Sequence, residues 1–208
     1  MILYVARHGE TDWNRAGRYQ GRRESSLTEI GRAQAQALAS ALAERPIGRI
    51  ISSPLRRCRE TAQPLAERLG VPVEIDARAI EIAHGTWEGR LRSDLEREEP
   101  LALQRWREEP ESVHFDGGES LAEVMARWRA FAKDLGGTDE VLVVTHDVLA
   151  RLAILDAQRR PLARFWEPRV VNGGYARLRR ADGRFELLDE CIDTHLGTLE
   201  VDTAHQAL

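Results

Sequence analysis

An uncharged run, Met1-Ile2-Leu3-Tyr4-Val5-Ala6, leads directly into Arg7-His8-Gly9-Glu10-Thr11, and this junction constrains the fold more than any other stretch. A short apolar run reads as a buried strand. In α/β sheets ligands bind at the carboxyl ends of the strands, so an arginine and a histidine placed where this strand stops face a substrate rather than a core. Gly9, with no Cβ, lets the backbone turn sharply and approach a ligand closely. The planar guanidinium of Arg7 matches phosphate or carboxylate, and its fixed charge lowers the pKa of the imidazole beside it, which keeps His8 neutral and nucleophilic. Taken alone, Arg7-His8 also fits an ordinary surface pair, so the downstream chain decides between the two.

Beyond the junction, Arg15 to Arg23 is polar and punctuated by glycine and reads as a loop beside His8. Ser26 or Thr28 caps a helix with Ile30, Ala33, Ala37, Leu38, Ala41 and Leu42 on one face, ended by Pro46 and Gly48. Arg49-Ile50-Ile51-Ser52 is a second strand, and Ser53-Pro54 turns the chain into a helix carrying Leu55, Cys58, Ala62, Leu65, Ala66 and Leu69 on one side, with Gly70 as its stop. Val71 to Ile75 is a third strand. This β-α-β-α-β alternation predicts a parallel sheet covered on both faces. From Glu81 to Gly118 the pattern breaks into an excursion over the sheet's edge, with Pro100 and Pro110 dividing helical pieces, and such excursions commonly set substrate choice. Leu121, Val124, Met125, Trp128, Phe131 and Leu135 then mark a core-facing helix stopped by Gly136. Glu140 to Thr145 is the clearest buried strand, and His146 stands at its carboxyl end as His8 does at the first. Asp147 reads as the cap of the next helix, turned away from any pocket, in preference to a carboxylate near the bound anion that would disfavour some substrates. Tyr175 to Arg180 and Phe185 to Leu188 form a hairpin turned by Asp182-Gly183, and periodicity fades from Cys191 onward.

The length of 208 residues suits one domain with a sizeable core. No run approaches the roughly 20 apolar residues of a membrane span, and the first residues resemble no export signal, so the expected location is the cytoplasm and no membrane partner is expected. A net charge of −4 argues against a nucleic-acid partner. Lys133 is the one lysine, and G-x-x-x-x-G-K-[ST] is absent, which excludes a nucleotide-binding P-loop. Cys58 and Cys191 lack metal spacing and read as core thiols.

Arg7-His8-Gly9-Glu10-Thr11-Asp12-Trp13-Asn14 resembles the signature of the histidine phosphatase superfamily, the phosphoglycerate-mutase-like enzymes that pass a phosphoryl group through a histidine. Ser52 to Cys58, Glu81 through Gly85-Thr86-Trp87-Glu88-Gly89, and Val144-Thr145-His146 resemble further motifs of that family in family order. The resemblance implies a three-layer α/β/α fold with a mainly parallel central sheet, a single domain over residues 1–208 with the 81–118 excursion above the active site, and a metal-independent phosphatase without a cofactor. It implies His8 as nucleophile, Arg7, Arg56 and His146 as the pocket for the phosphoryl oxygens, and Glu81 as proton donor, with Asn14, Gln20 and Gly21 as further substrate contacts. These roles suit the chemistry: a phosphoryl group in flight spreads charge over its oxygens, which fixed cations stabilise, and an alkoxide leaves poorly without a proton. Asn14 and Gln20 fit local turn hydrogen bonds equally well.

Metal ligation is the competing use of His8, His84, His114 and His146, but no pair has metal spacing and the arginine beside His8 repels a cation. His84 and His114 read as surface or substrate-lining residues, and His195 and His205 as parts of the weakly patterned tail. Many family members carry glycine where Asp147 stands. Within the family the rival is a cofactor-dependent phosphoglycerate mutase, disfavoured because Glu81 to Gly118 holds scattered arginines and no lysine. From another class the rival is an inactive module that binds a phosphorylated ligand, disfavoured because His8 and Glu81 are both present. The expected partner is a small phosphomonoester; the oligomeric state is left open, a dimer included.

Overall fold

A computed structural model of the chain describes residues 1–137, 140–199 and 206. The strands β1 (Ile2–Arg7), β2 (Ile47–Ser52), β3 (Val73–Ile75), β4 (Glu140–Thr145), β5 (Tyr175–Ala181) and β6 (Arg184–Ile192) form one sheet in the order β3-β2-β4-β1-β5-β6. The pairs β3-β2, β2-β4 and β4-β1 are parallel, whereas β5 and β6 add to β1 as an antiparallel hairpin. Parallel strands must be buried on both faces, and β1 and β4 meet that need with near-continuous apolar sequences.

Alternation along the strands divides the core. Tyr4, Ala6, Ile50, Leu142 and Val144 point to one face, where they meet Leu38 and Leu42 of α2 (Glu29–Leu42) and Cys58, Ala62 and Leu65 of α3 (Arg56–Leu69). Leu3, Val5, Ile51, Val141 and Val143 point to the other, against Val124, Trp128 and Phe131 of α6 (Leu121–Asp134) and Leu149 and Leu152 of α7 (Asp147–Gln158). The architecture is three-layer α/β/α. The segment 81–118 carries α4 (Arg92–Glu98) and α5 (Pro100–Glu108), and its Leu95, Leu103, Trp106 and Phe115 enter the second cluster.

Helix ends follow their chemistry. Thr28 caps α2 by accepting from the Gly31 N–H, Gly70 closes α3 in the left-handed region, and Ser120 and Glu123 form a reciprocal capping box at α6. Asp182 and Gly183, with φ of 48° and 77°, make the tight turn expected between β5 and β6. Boundaries differ from the sequence expectations where tertiary pairing intervenes: β2 begins at Ile47, opposite Glu140 of β4, and β6 runs to Ile192, opposite Tyr175. α2 stops at Leu42, before Pro46, and α6 stops at Asp134, before Gly136. Gly9 serves packing rather than ligand approach, because a Cβ there would lie 2.3 Å from the Gly31 carbonyl oxygen of α2.

Register brings the two histidines together. Arg7 of β1 pairs with Thr145 of β4, so His8 and His146 leave the sheet side by side, and the His8 N–H donates to Thr145 O at 3.0 Å. β2 ends at the same level, with Ser53 N donating to Val144 O at 3.0 Å. The carboxyl ends of three parallel strands therefore converge on one spot.

Candidate active site

His8 is buried, and its Nδ1 lies 2.7 Å from Gly9 O. A carbonyl only accepts, so Nδ1 carries the proton and Nε2 keeps its lone pair. Burial, then the charges of Arg57 and Arg7, hold the imidazole pKa well below its ordinary value. A neutral ring with a free Nε2 is the nucleophilic form.

Arg7 is 1% exposed. Its Nη2 donates to Gln206 Oε1 at 2.5 Å and its Nη1 lies 3.2 Å from Asp147 Oδ1, while Nε and Nη1 find no hydrogen-bond acceptor among the described residues. Asn14 Nδ2 donates to the same Gln206 oxygen at 3.2 Å, so an oxygen already sits where donors from β1 and from α1 (Asp12–Arg15) converge. Asn14 also completes a capping box with Thr11, so the local hydrogen bonds and the pocket contact coexist. Gln20 lines the cleft, and its Oε1 accepts from Thr11 and Ser25 hydroxyls. Gly21 contributes a carbonyl that accepts from Arg57 Nη2 at 2.8 Å.

The second arginine of the cleft is Arg57, which corrects the expectation for Arg56. Arg56 has a side chain 60% exposed and pairs along the helix surface with Glu60 at 2.6 Å. Arg57 is 1% exposed, lines the cleft with His8, donates to Gly21 O and Arg23 O, and leaves its Nε without an acceptor among the described residues. Successive helical residues point about 100° apart, so adjacent arginines at the start of α3 cannot share a direction. The periodicity held the answer: Arg57, Thr61 and Leu65 follow one buried line, whereas Arg56, Glu60, Gln63 and Glu67 follow an exposed polar one.

Glu81 is buried at the cleft, with Oε1 accepting from Ile82 N at 2.9 Å and Oε2 lying 3.5 Å from Val148 N. Burial first, then the charge of Asp147, push its carboxyl up to about 7, a value suited to giving and taking a proton near neutrality. His146 is fully buried, its ring edge-on to His8 with centroids 5.2 Å apart and its Nε2 2.7 Å from Ser53 Oγ. It stands against the back of His8, with Cys58 Sγ 3.3 Å from its Nε2, rather than in the cleft wall.

Asp147 is not a cap turned away from the pocket. The cap position falls on His146, and Asp147 begins α7 with its carboxylate inside the cleft, between Arg7 and Arg151. His84 lines the cleft, buried among Tyr19, Trp106 and Phe115, with both ring nitrogens unpartnered among the described residues and its pKa driven down to about 3 by burial. His114 stays on the surface beside Glu123. His195 meets Gly173 O at 2.9 Å, and His205 lies outside the described residues. Cys58 is buried, whereas Cys191 lies half-buried in β6. Among the described residues no group of three or more His, Cys, Asp or Glu side chains could hold a metal ion.

Asn172 and Gln206 escaped the sequence reading. Asn172 Nδ2 donates to His8 O at 3.1 Å, and its Oδ1 accepts from Gln206 Nε2 at 2.8 Å. Neither lies in a motif or a periodic stretch, so no local signal pointed to them. With Gln206 in place the cleft keeps about 20 Å³ of free volume, room for little more than one water. A wider groove of about 700 Å³, lined by Arg129, Lys133, Asp156, Arg159, Arg160 and Arg184, has no histidine in its lining and belongs to the far side of α6 and α7.

A neutral imidazole, two buried arginines with unused N–H groups and a raised carboxylic acid form a site for moving a phosphoryl group. The sequence profile of the histidine phosphatase superfamily (branch 1) matches residues 3–192. The chain belongs to that superfamily. Phosphoserine phosphatase 1 of Hydrogenobacter thermophilus is 37% identical to this histidine phosphatase over 209 residues, 99% of each chain. The glucosyl-3-phosphoglycerate phosphatase of Mycobacterium tuberculosis is 39% identical over 155 residues, 69% of each chain. Among solved structures, Bacillus stearothermophilus YhfR superposes with a TM-score of 0.87 at 29% identity, covering 94% of this chain and 98% of its own. As a histidine phosphatase the chain is a metal-independent phosphoric monoester hydrolase that works through a phosphohistidine. No helix among the described residues is long and apolar enough to cross a membrane.

Proposed function

We propose that the chain hydrolyses small phosphorylated metabolites in the cytoplasm, with His8 Nε2 as nucleophile and Glu81 as proton donor, and that residues 1–208 act as one catalytic domain whose 81–118 segment lines the substrate cleft. The observation that carries this reading is the His8 Nδ1–Gly9 O hydrogen bond, which leaves Nε2 deprotonated between arginines with unsatisfied N–H groups.

In the first step Nε2 attacks phosphorus, the P–N bond forms as the P–O bond to the alcohol breaks, and the Glu81 proton goes to the departing oxygen. In the second, water attacks phosphorus, Glu81 takes its proton, the P–N bond breaks and phosphate leaves. Arg7, Arg57 and Asn14 hold the phosphoryl oxygens throughout; fixed cations in a water-poor site stabilise spreading charge without reorganising. His146 packs on the His8 ring and steadies its aim.

Hydrolysis is favoured over return of the phosphoryl group to a sugar acid because the excursion's arginines are occupied. Arg90 pairs with Glu98 and Glu99, Arg97 with Asp94 and Glu98, and Arg107 with Glu96, while Arg22 at the cleft mouth pairs with Glu119. Each of these arginines already faces an acidic partner on the protein. Phosphoserine, phosphosugars and phosphorylated glycerates form the test panel, with released phosphate as the readout. Labelled phosphate trapped on the enzyme is expected to map to His8 and to be acid-labile. Label on another residue, or near-normal turnover by His8→Ala, would refute the reading.

A further inference from the structure

Asp147 sets a carboxylate against the arginine that opens the phosphoryl pocket, which opposes anion binding unless its charge is balanced. It is balanced. Asp147 Oδ1 lies 3.2 Å from Arg7 Nη1 and Oδ2 accepts from Arg151 Nε at 2.6 Å, so one carboxylate faces two cations. Arg151 is itself anchored, donating to Pro168 O and stacking over Phe165 and Trp166 with its guanidinium carbon 5.8 and 5.4 Å from their ring centroids. A carboxylate in the first turn of a helix also meets the positive end of the helix dipole. The carboxylate is therefore fixed in place between two arginines.

The next residue couples this charge to the proton donor. Val148 N lies 3.5 Å from Glu81 Oε2, which puts the Glu81 carboxyl at the same first turn of α7. Two like charges in a buried space disfavour each other. The other groups facing Glu81 are Arg57 from α3, Arg7 from β1 and the neutral imidazoles of His8 and His84. Arg22 and Arg127 donate to the Glu81 carbonyl at 3.3 and 3.4 Å, each also paired with Glu119.

We propose that Asp147 is a positioning residue for the hydrolysis: braced by Arg151, it orients the guanidinium of Arg7 toward the phosphoryl oxygens and supplies the negative charge that Glu81 faces. The inference rests on Glu81 being the proton donor. Asp147 is the largest cause after burial of the raised Glu81 carboxyl, so removing its charge favours the ionised form of Glu81.

The test compares kcat/KM against pH for wild type and Asp147→Asn on an alkyl phosphate, phosphoserine, and an aryl phosphate, p-nitrophenyl phosphate. The alkyl leaving group needs the Glu81 proton and the aryl one departs largely unaided. Wild type is expected to lose alkyl turnover as pH rises through about 7. In Asp147→Asn that limb is expected to move down by about one pH unit, with no matching displacement on the aryl substrate. Because the substitution leaves Arg7 and Arg151 without a buried counter-charge, circular dichroism melts accompany it. Infrared titration of the Glu81 carboxyl, read against matched Glu81→Gln variants, reports the same displacement without turnover. An unmoved limb together with an unmoved Glu81 titration would overturn the role of Asp147 alone. Absence of any alkyl-specific basic limb in wild type would overturn the role of Glu81 as donor, and the inference with it.

Discussion

Arg56 and Arg57 are neighbours in sequence with opposite environments, so the pair tests the geometry directly. Arg57 is buried, lines the cleft, donates two hydrogen bonds that hold the Gly21 and Arg23 carbonyls, and has an Nε–H without an acceptor among the described residues. Losing one preorganised donor to a developing oxyanion costs about 2.7 to 4 kcal/mol in transition-state stabilisation, and each 1.36 kcal/mol is about tenfold in rate. Arg57→Ala is therefore expected to lower kcat/KM by roughly 10²- to 10³-fold. The loosened Gly21 and Arg23 loop adds to the loss, so Arg57→Lys, which restores the charge but not the fork of donors, should recover only part of it. Arg56→Ala removes an exposed ion pair with Glu60 and should leave kcat/KM within about twofold. The assay is initial-rate release of phosphate from phosphoserine or the best panel substrate, with melting curves to verify folding. A large loss in Arg56→Ala, or wild-type turnover in Arg57→Ala, would refute the assignment of the phosphoryl pocket.

Removing the Glu81 charge should stabilise the fold at alkaline pH. The native state binds a proton on Glu81 that the unfolded chain has already released between about 4.5 and 7. Stability from that proton is present below the lower value and is lost as pH rises through the upper one. The span amounts to about 3 kcal/mol, so the melting temperature of Glu81→Gln should overtake that of wild type between pH 5 and 8; a gap independent of pH would contradict the buried, raised carboxyl. Exhaustive EDTA treatment should leave turnover intact and vanadate should inhibit, since Arg7 and Arg57 neutralise the phosphoryl charge; restoration of lost activity by a divalent ion would sink this. Gln206→Ala frees Arg7 Nη2 and Asn14 Nδ2 from their present acceptor, so inhibition by inorganic phosphate should tighten several-fold; weaker inhibition would mean that Gln206 helps hold the anion.

Much of this was legible from the chain because the features are local. β1 and β4 are short apolar runs closed by a histidine, and burial on both faces makes such runs readable. The α6 stripe and the Asp182-Gly183 turn are equally local, each set by periodicity or by backbone conformation. The Arg56 expectation failed although a local signal existed, since the buried line through Thr61 passes through Arg57.

Sequence by itself determined that strands and helices alternate, that His8 and His146 end apolar strands, and that Glu81 opens a segment unlike the rest. These follow from nearest-neighbour chemistry: alternation, helical period, caps and breakers. Tertiary structure alone decided which groups meet. Pairing of Arg7 with Thr145 set the two imidazoles 5.2 Å apart, at a register that neither strand encodes alone. Asp147 entered the cleft because Arg7 and Arg151, 144 positions apart, both find its carboxylate there. Gln206 reached Arg7 across 199 positions of chain. A buried charge or amide settles where its partner is, and partners that far apart in sequence become neighbours only once the sheet has fixed where each strand ends.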